Sequence, residues 1–552
     1  MKQKSFNIFL FLFSILGVES YGQNRLPDTE VIHVLAYGQS LASASYSGDI
    51  ITKKQKADNL FRFIGGVRTS DVFSINMKGY SQVERKKSQA YKELINYTTS
   101  LSEKDIALQN YKYSILVPLT EVRPYYSPVY IGGNDSIVRY DYINPGESIP
   151  SGSRMMIHAD GETPISGCLE MINTLLQTES TKKFEWLGSC PAFGSARFLS
   201  LWPYDKGGKT HTQLEQYATG SNLNYFEVLM ADVYYAKQYY DRIGKSYSVG
   251  AVLYYHEHLD LPDSIPIKFR ERRLLQLFYL INERIKEITG QQNDVIIVNH
   301  QSLLSSYQAM GQYHCSIEDT PTIYDDKKKL AVLGNKTEKE YCDSMPNADV
   351  PEYDKQNVIM GTPVYPYPYA SDYIHLTSVG SKMSGIAQGY ALKKTMFDMG
   401  GKWKPIHPLK HQIKRKKIKE NNVYILTVEF HLDQAPLVLD ENAVHGIAQS
   451  IEAKERGDKY GFILKDKNGR FIPFDSVEVN GNSLVFISSV NPIGCYLNYA
   501  INYAYGTGYE NKSKRPFGNL RDSRGDKIQT ELIENEWIPV HNWSPAFSYY
   551  IQ

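Results

Sequence analysis

Ser40, Asp372 and His375 are residue types that can together transfer an acyl group, and they stand at two distant points of this 552-residue chain. Ser40 closes the tetrapeptide Tyr37-Gly38-Gln39-Ser40, just where the apolar run 31–36 stops; Asp372 and His375 bracket Asp372-Tyr373-Ile374-His375. A serine nucleophile needs a sharp turn to present its hydroxyl, an imidazole to take its proton and a carboxylate to hold that imidazole in one tautomer. A carboxylate and an imidazole three residues apart can meet on one turn, so a single short segment delivers both. The surroundings of Ser40 differ from a Gly-x-Ser-x-Gly elbow, because Ala42 stands where the second glycine would be, which disfavours a lipase-like hydrolase.

The block His256-Glu257-His258-Leu259-Asp260 offers a second chemistry. On a strand, His256, His258 and Asp260 project from one face, as metal-binding His-x-His strands require. The plainer reading has His258 hydrogen-bonding within a pocket wall and Asp260 fastening a neighbouring loop. A neutral His256 can also donate a hydrogen bond through one ring nitrogen.

These residues need elements to position them. Residues 31–36, 113–117, 184–187, 248–255 and 294–298 read as strands, and 167–177, 222–243 and 268–288 as helices, the last with Leu274, Leu277, Ile281, Ile285 and Ile288 at helical spacing. Strands alternating with helices predict a parallel sheet covered on both faces, with ligands at the carboxyl ends of its strands, where Ser40 falls. A basic stretch within 403–420 reads as a linker. Beyond it, residues 423–430, 437–439, 460–464, 476–487 and 496–505 read as short strands, and Asn480-Gly481 as a hairpin turn, predicting a β-sandwich over 421–552.

At this length at least two domains are expected. With 61 basic and 60 acidic residues interspersed, net charge +1, there is no field to favour nucleic acid or an anionic membrane. Residues 1–22, with Lys2 and Lys4 before an apolar run, read as a signal peptide; no stretch is long enough for a membrane span, so a secreted or periplasmic protein is expected. The 43 tyrosines suit either sugar faces or ordinary half-buried packing. Five scattered cysteines make no disulfide framework; one bridge, Cys315 to Cys342, is compatible with export, and buried free thiols are the other reading.

Around these residues the chain resembles the SGNH hydrolase superfamily, in its branch of sialate O-acetylesterase-like carbohydrate esterases with phage and bacterial members. The resembling stretches are 59–68 (NLFRFIGGVR), 161–167 (GETPISG), 188–195 (GSCPAFGS), 245–249 leading to His256, and in the last domain 436–440 (PLVLD), 518–523 (GNLRDS) and 541–543 (HNW). The resemblance implies a flavodoxin-like three-layer α/β domain over 23–402 followed by a β-sandwich. It also implies Ser40 as nucleophile, His375 as base and Asp372 as its orienting carboxylate. The backbone amides of Ser40 and Gly194, with the His256 side chain, would form the oxyanion hole, and Gln39, Ser195, Glu257, His258 and Asp260 would line the substrate side. The substrate class it implies is an O-acylated, in particular O-acetylated, poly- or oligosaccharide, cleaved without a cofactor. The chain departs from relatives that read His-Gly-Glu-Ser-Asp or Gln-Gly-Glu-Ser-Asp at 256–260, and Ser195-Ala196 replaces Gly-Thr. Two alternatives follow: a noncatalytic glycan-binding protein derived from such an esterase, or a metal-dependent hydrolase using His256, His258 and Asp260.

Overall fold

A computed structural model describes residues 29–44, 47–68, 113–121, 124–131, 135–142, 161–179, 183–192, 194, 196, 198–203, 225–256, 267–302, 306–317, 349–370, 375–398, 401–418, 421–441, 459–501 and 518–552. The expected signal peptide, Asp372, Ser195, Glu257, His258, Asp260 and Cys342 lie outside the described residues.

The first unit is built on strands β1 (Val31–Gly38), β2 (Leu60–Phe63), β3 (Leu116–Pro118), β6 (Glu185–Ser189), β7 (Tyr247–Tyr255), β8 (Ile296–Gln301) and β9 (Val358–Pro363), in spatial order β3-β2-β6-β1-β7-β8-β9. All neighbours run parallel except β3, which pairs antiparallel with β2 at the edge. Between β3 and β6 the chain forms a hairpin, β4 (Pro124–Ile131) with β5 (Asp135–Tyr142). The helices are α1 (Ser40–Ser43), α2 (Pro164–Glu179), α3 (Tyr225–Arg242), α4 (Ile267–Thr289), α5 (Ser306–Ser316) and α6 (Ser378–Phe397).

Strand β1 is buried along its whole length, and its alternate residues serve opposite layers, as a pleated strand must. Ile32, Val34 and Ala36 join a core with Ile165, Leu169 and Ile172 of α2 and Ile386 of α6. Val31, Leu35 and Tyr37 join another with Phe226 and Val233 of α3 and Leu274, Ile281 and Ile285 of α4. This is the expected three-layer arrangement. Helices α2 and α6 cross closely: a Cβ on Gly385 would lie 2.0 Å from the Pro164 carbonyl oxygen, so only glycine admits the approach.

The second unit contains two four-stranded antiparallel sheets. One has the order β10 (His407–Ile418), β11 (Asn421–His431), β16 (Ser483–Ser488), β15 (Ser476–Asn480); the other β14 (Phe471–Ile472), β13 (Phe462–Lys465), β17 (Tyr496–Tyr499), β21 (Phe547–Tyr550). Ring contacts of Phe462 with Phe486 and of Phe430 with Phe547 join their inner faces, the packing of a β-sandwich. Short pairs β12 (Leu437–Leu439) with β18 (Leu520–Asp522) and β19 (Gln529–Ile533) with β20 (Glu536–Pro539) complete it.

One expectation is corrected. The basic stretch read as a linker is strand β10, paired with β11 along its length at a sheet edge, where lysines discourage pairing with another chain. Of the two readings of Cys315, the buried free thiol is the one present; its Sγ points at the Glu271 carbonyl, 3.4 Å away. Tyrosine's abundance serves packing at many positions: Tyr37, Tyr240, Tyr254, Tyr255, Tyr313 and Tyr499 are among the largest fully buried side chains.

Candidate active site

Ser40 begins α1 directly beyond β1, at the centre of the parallel sheet. The turn is forced by Gly38, whose φ of +136° an L-residue rarely adopts; a Cβ there would lie 1.8 Å from the Tyr255 carbonyl oxygen. The same carbonyl accepts the Gln39 N–H at 2.9 Å, so β7 grips the turn from the side. Of residues 31–44, all but Ser40 are buried. Gln39, expected on the substrate side, is only 3 % exposed.

His375 approaches from the other end of the sheet. The chain leaves β9 at the edge, doubles back so that Ala370 N–H donates to the His375 carbonyl (2.7 Å) and Thr377 N–H to that of Pro368 (3.0 Å), and then enters α6. Thr377 caps that helix, its hydroxyl accepting from Gly380 N–H. The first residue of α6 reaches the loop after Ser40: Ser378 N–H donates to the Ser47 carbonyl at 2.8 Å, while Ser378 Oγ lies 3.0 Å from Glu162 N–H. The Ser40 and His375 segments are thus stitched together across the carboxyl ends of β7 and β8. His375 is 9 % exposed.

Beneath them lies a buried charged network. Glu162 accepts from Ile51 N–H and Thr52 N–H, each at 2.9 Å, and from the hydroxyls of Thr52 and Ser166. Lys382, on α6, reaches Thr52 Oγ1 and Glu170, the latter at 3.0 Å. Arg68 donates to the Ser43 carbonyl at the end of α1 (2.8 Å) and faces Glu121 at 3.6 Å; Thr163 donates to Glu121. Burial and the neighbouring Glu162 carboxylate push the Glu121 carboxyl up to about 7, against the pull of Arg68. These residues tie Ser43, residues 47–52 and residues 161–163 to α2 and α6.

The oxyanion side is different from expectation at His256. This residue is fully buried just beyond β7, its ring tilted against Phe198 and Tyr254, with Nε2 2.9 Å from the Ala196 carbonyl. A carbonyl only accepts, so Nε2 carries the proton, and a neutral imidazole then has no second N–H for an oxyanion. The same bond removes Nε2 from any metal. The ring is bound instead to Ala196, two residues past the buried Gly194, while Gln312 Nε2 donates to the His256 carbonyl. Among the described residues, no group of three or more His, Cys, Asp or Glu is arranged to hold a metal ion.

Sequence reasoning missed Arg68, Glu121, Glu162 and Lys382 as functional supports. Arg68 and Glu162 lie inside stretches already singled out by resemblance, and that was the available signal.

No protein-family model and no curated protein matches the chain. Among solved structures it is similar to a protein from Arabidopsis thaliana (11% identity, 67% of this chain and 99% of that one, TM-score 0.28). It is similar also to NanS (10% identity, 66% of this chain and 97% of that one, TM-score 0.29). Both similarities are remote.

Proposed function

We propose that the chain is a serine esterase that removes acyl groups, acetyl in our reading, from hydroxyls of a glycan through an acyl-serine intermediate. The observation that carries the reading is the isolated accessibility of Ser40 on a glycine-forced turn at the end of the central strand, with the His375 segment tied to its loop through Ser378 and Ser47.

In this reading His375 takes the Ser40 proton as the hydroxyl attacks the ester carbonyl, and Asp372 orients the imidazole. The tetrahedral oxyanion is held by the backbone amides of Ser40 and Gly194, with His256 supporting the Gly194 turn and making no direct contact. His375 then protonates the departing sugar hydroxyl, and a water deprotonated by the same imidazole releases the acid. Ser195, Glu257, His258 and Asp260 would face the substrate. Residues 1–22 would direct export to the periplasm or medium, residues 23–402 would carry the chemistry, and 421–552 would form the sandwich domain. Among the described residues no helix is long and apolar enough to cross a membrane.

Covalent labelling tests the nucleophile directly. A fluorophosphonate incubated with the full chain, followed by peptide mass spectrometry, is expected to modify Ser40 alone among the serines. Modification of another serine, or none, overturns the assignment.

A further inference from the structure

We infer that the C-terminal β domain is a positioning element for the His375 segment, acting through a buried hydrogen-bond chain that joins Tyr365 to Tyr499 and Ser544. The inference rests on the serine-esterase reading for its catalytic consequence and on the contacts below for its existence.

Tyr365 lies on the loop that leaves β9, two residues past its end. Its hydroxyl is 2.8 Å from the Ser544 carbonyl and 2.8 Å from the Tyr499 hydroxyl, and Leu520 N–H reaches the Tyr499 oxygen at 2.8 Å. The direction of every bond follows from chemistry. The Ser544 carbonyl only accepts, so Tyr365 spends its proton there; the proton between the two phenols must therefore come from Tyr499. The chain runs Leu520 N–H to Tyr499 O–H to Tyr365 O–H to Ser544 carbonyl, and Ser544 N–H closes it by donating to the Leu520 carbonyl at 3.0 Å. Both tyrosines are buried, and burial raises their hydroxyl pKa values, so each stays a donor at any working pH.

Tyr365 is linked to His375 by a short run of backbone bonds. The rungs Ala370 N–H to His375 carbonyl and Thr377 N–H to Pro368 carbonyl, with the bridge Tyr369 to Leu376, lie three to five residues past it. A second tether holds the neighbouring strand end: the Gln301 side chain pairs with Ala546 in both directions, Nε2 to its carbonyl at 2.8 Å and N–H to Oε1 at 2.6 Å. The Gln301 carbonyl in turn accepts from Val364 N–H at 3.1 Å. The loop that delivers the imidazole is therefore braced from outside its own domain, by Tyr499 and by segment 541–546, which contains the stretch 541–543 singled out in the sequence, with Leu520 of the stretch 518–523 bonded to both Tyr499 and Ser544.

Removing one hydroxyl from this chain leaves a buried partner unsatisfied and loosens the loop while leaving the fold in place. The test uses Tyr365→Phe and Tyr499→Phe in the full chain, assayed where circular dichroism shows both fully folded. Each is expected to lower kcat on p-nitrophenyl acetate about tenfold with KM within about twofold, to speed hydrogen exchange at the amides of Tyr367, Tyr369, Ala370 and residues 375–377 by a similar factor, and to give a double variant no worse than either single one. Wild-type kcat and exchange in folded variants would overturn the inference. If Tyr365→Phe does not fold, Tyr499→Phe, on the far side of the bond, carries the test. If the wild-type protein shows no Ser40-dependent hydrolysis, the esterase reading fails by itself, and the exchange comparison still decides whether the β domain braces this loop.

Discussion

Replacing Lys382 by methionine removes the cation at the centre of the buried network while keeping its length and most of its packing. Its side chain is 1 % exposed, with Nζ 3.0 Å from Glu170 and 4.0 Å from Glu162, whose side chains are 6 % and 0 % exposed. Breaking a buried ion pair from one side strands the remaining charge, at a cost of about 3–5 kcal/mol, whereas an exposed pair contributes about 0–1 kcal/mol. The contrast is available within this molecule, because the Lys54–Glu534 pair is 82 % and 73 % exposed. Lys382→Met is therefore expected to lose about 3–5 kcal/mol in urea unfolding at pH 7.5, and Lys54→Met within about 0.5 kcal/mol. Acid supplies a second signature. Burial raises the Glu170 pKa and Lys382 is the largest opposing influence, so the variant raises it further. A carboxyl whose folded pKa is raised contributes stability below its unfolded value and loses it as pH climbs, so the deficit of Lys382→Met should shrink on going from pH 7.5 to 5. Adding Glu170→Gln should recover part of the loss at pH 7.5. A deficit below about 1 kcal/mol, or one indifferent to pH, would refute the reasoning that these charges are held together by burial.

Three further outcomes follow. Gly38→Ala forces a Cβ to within 1.8 Å of the Tyr255 carbonyl oxygen and is expected to cost roughly 2–4 kcal/mol in thermal unfolding and to abolish esterase activity; a stable, active variant would mean that the turn is not strained. His300 is fully buried, stacked on Tyr255 at 4.2 Å, with neither ring nitrogen partnered among the described residues, and burial pushes its pKa down to about 3. Its stabilising contribution is present above the unfolded histidine value and is lost as pH falls, by about 3 kcal/mol at two units below that value, so the advantage of His300→Phe over wild type in urea unfolding should grow by that amount between pH 7.5 and 4.5; a constant difference contradicts the shift. His256→Phe deletes the bond to Ala196 and should lower kcat by about tenfold, short of the hundredfold or more that loss of a direct oxyanion donor brings.

Much of the frame was legible because burial writes itself into spacing. The apolar run 31–36 became β1, and Leu274, Leu277, Ile281 and Ile285 fall on the buried side of α4. The hairpin at Asn480-Gly481 is present, with Gly481 at φ +63°. Strands β2 and β9 escaped notice since they are short and interrupted, the latter by Gly361 and a terminal Pro363. Strand β10 was hidden by its lysines, which an edge strand tolerates on its open side. In the site, Ser40 and His375 carried distinctive chemistry in their neighbours. Glu162, Glu121 and Lys382 did not, because a buried charge and a solvated one look alike until the tertiary partner is known. The role of His256 turned on one hydrogen bond to Ala196, which no local pattern encodes.

The most direct test of the central claim is the rate of acetate release from p-nitrophenyl acetate by the purified full chain and by Ser40→Ala, both confirmed as folded. The wild-type protein should turn over, and the variant should be slower by several orders of magnitude. Equal rates in the two proteins, or hydrolysis that survives in Ser40→Ala, would contradict the assignment of Ser40 as the nucleophile and with it the proposed function.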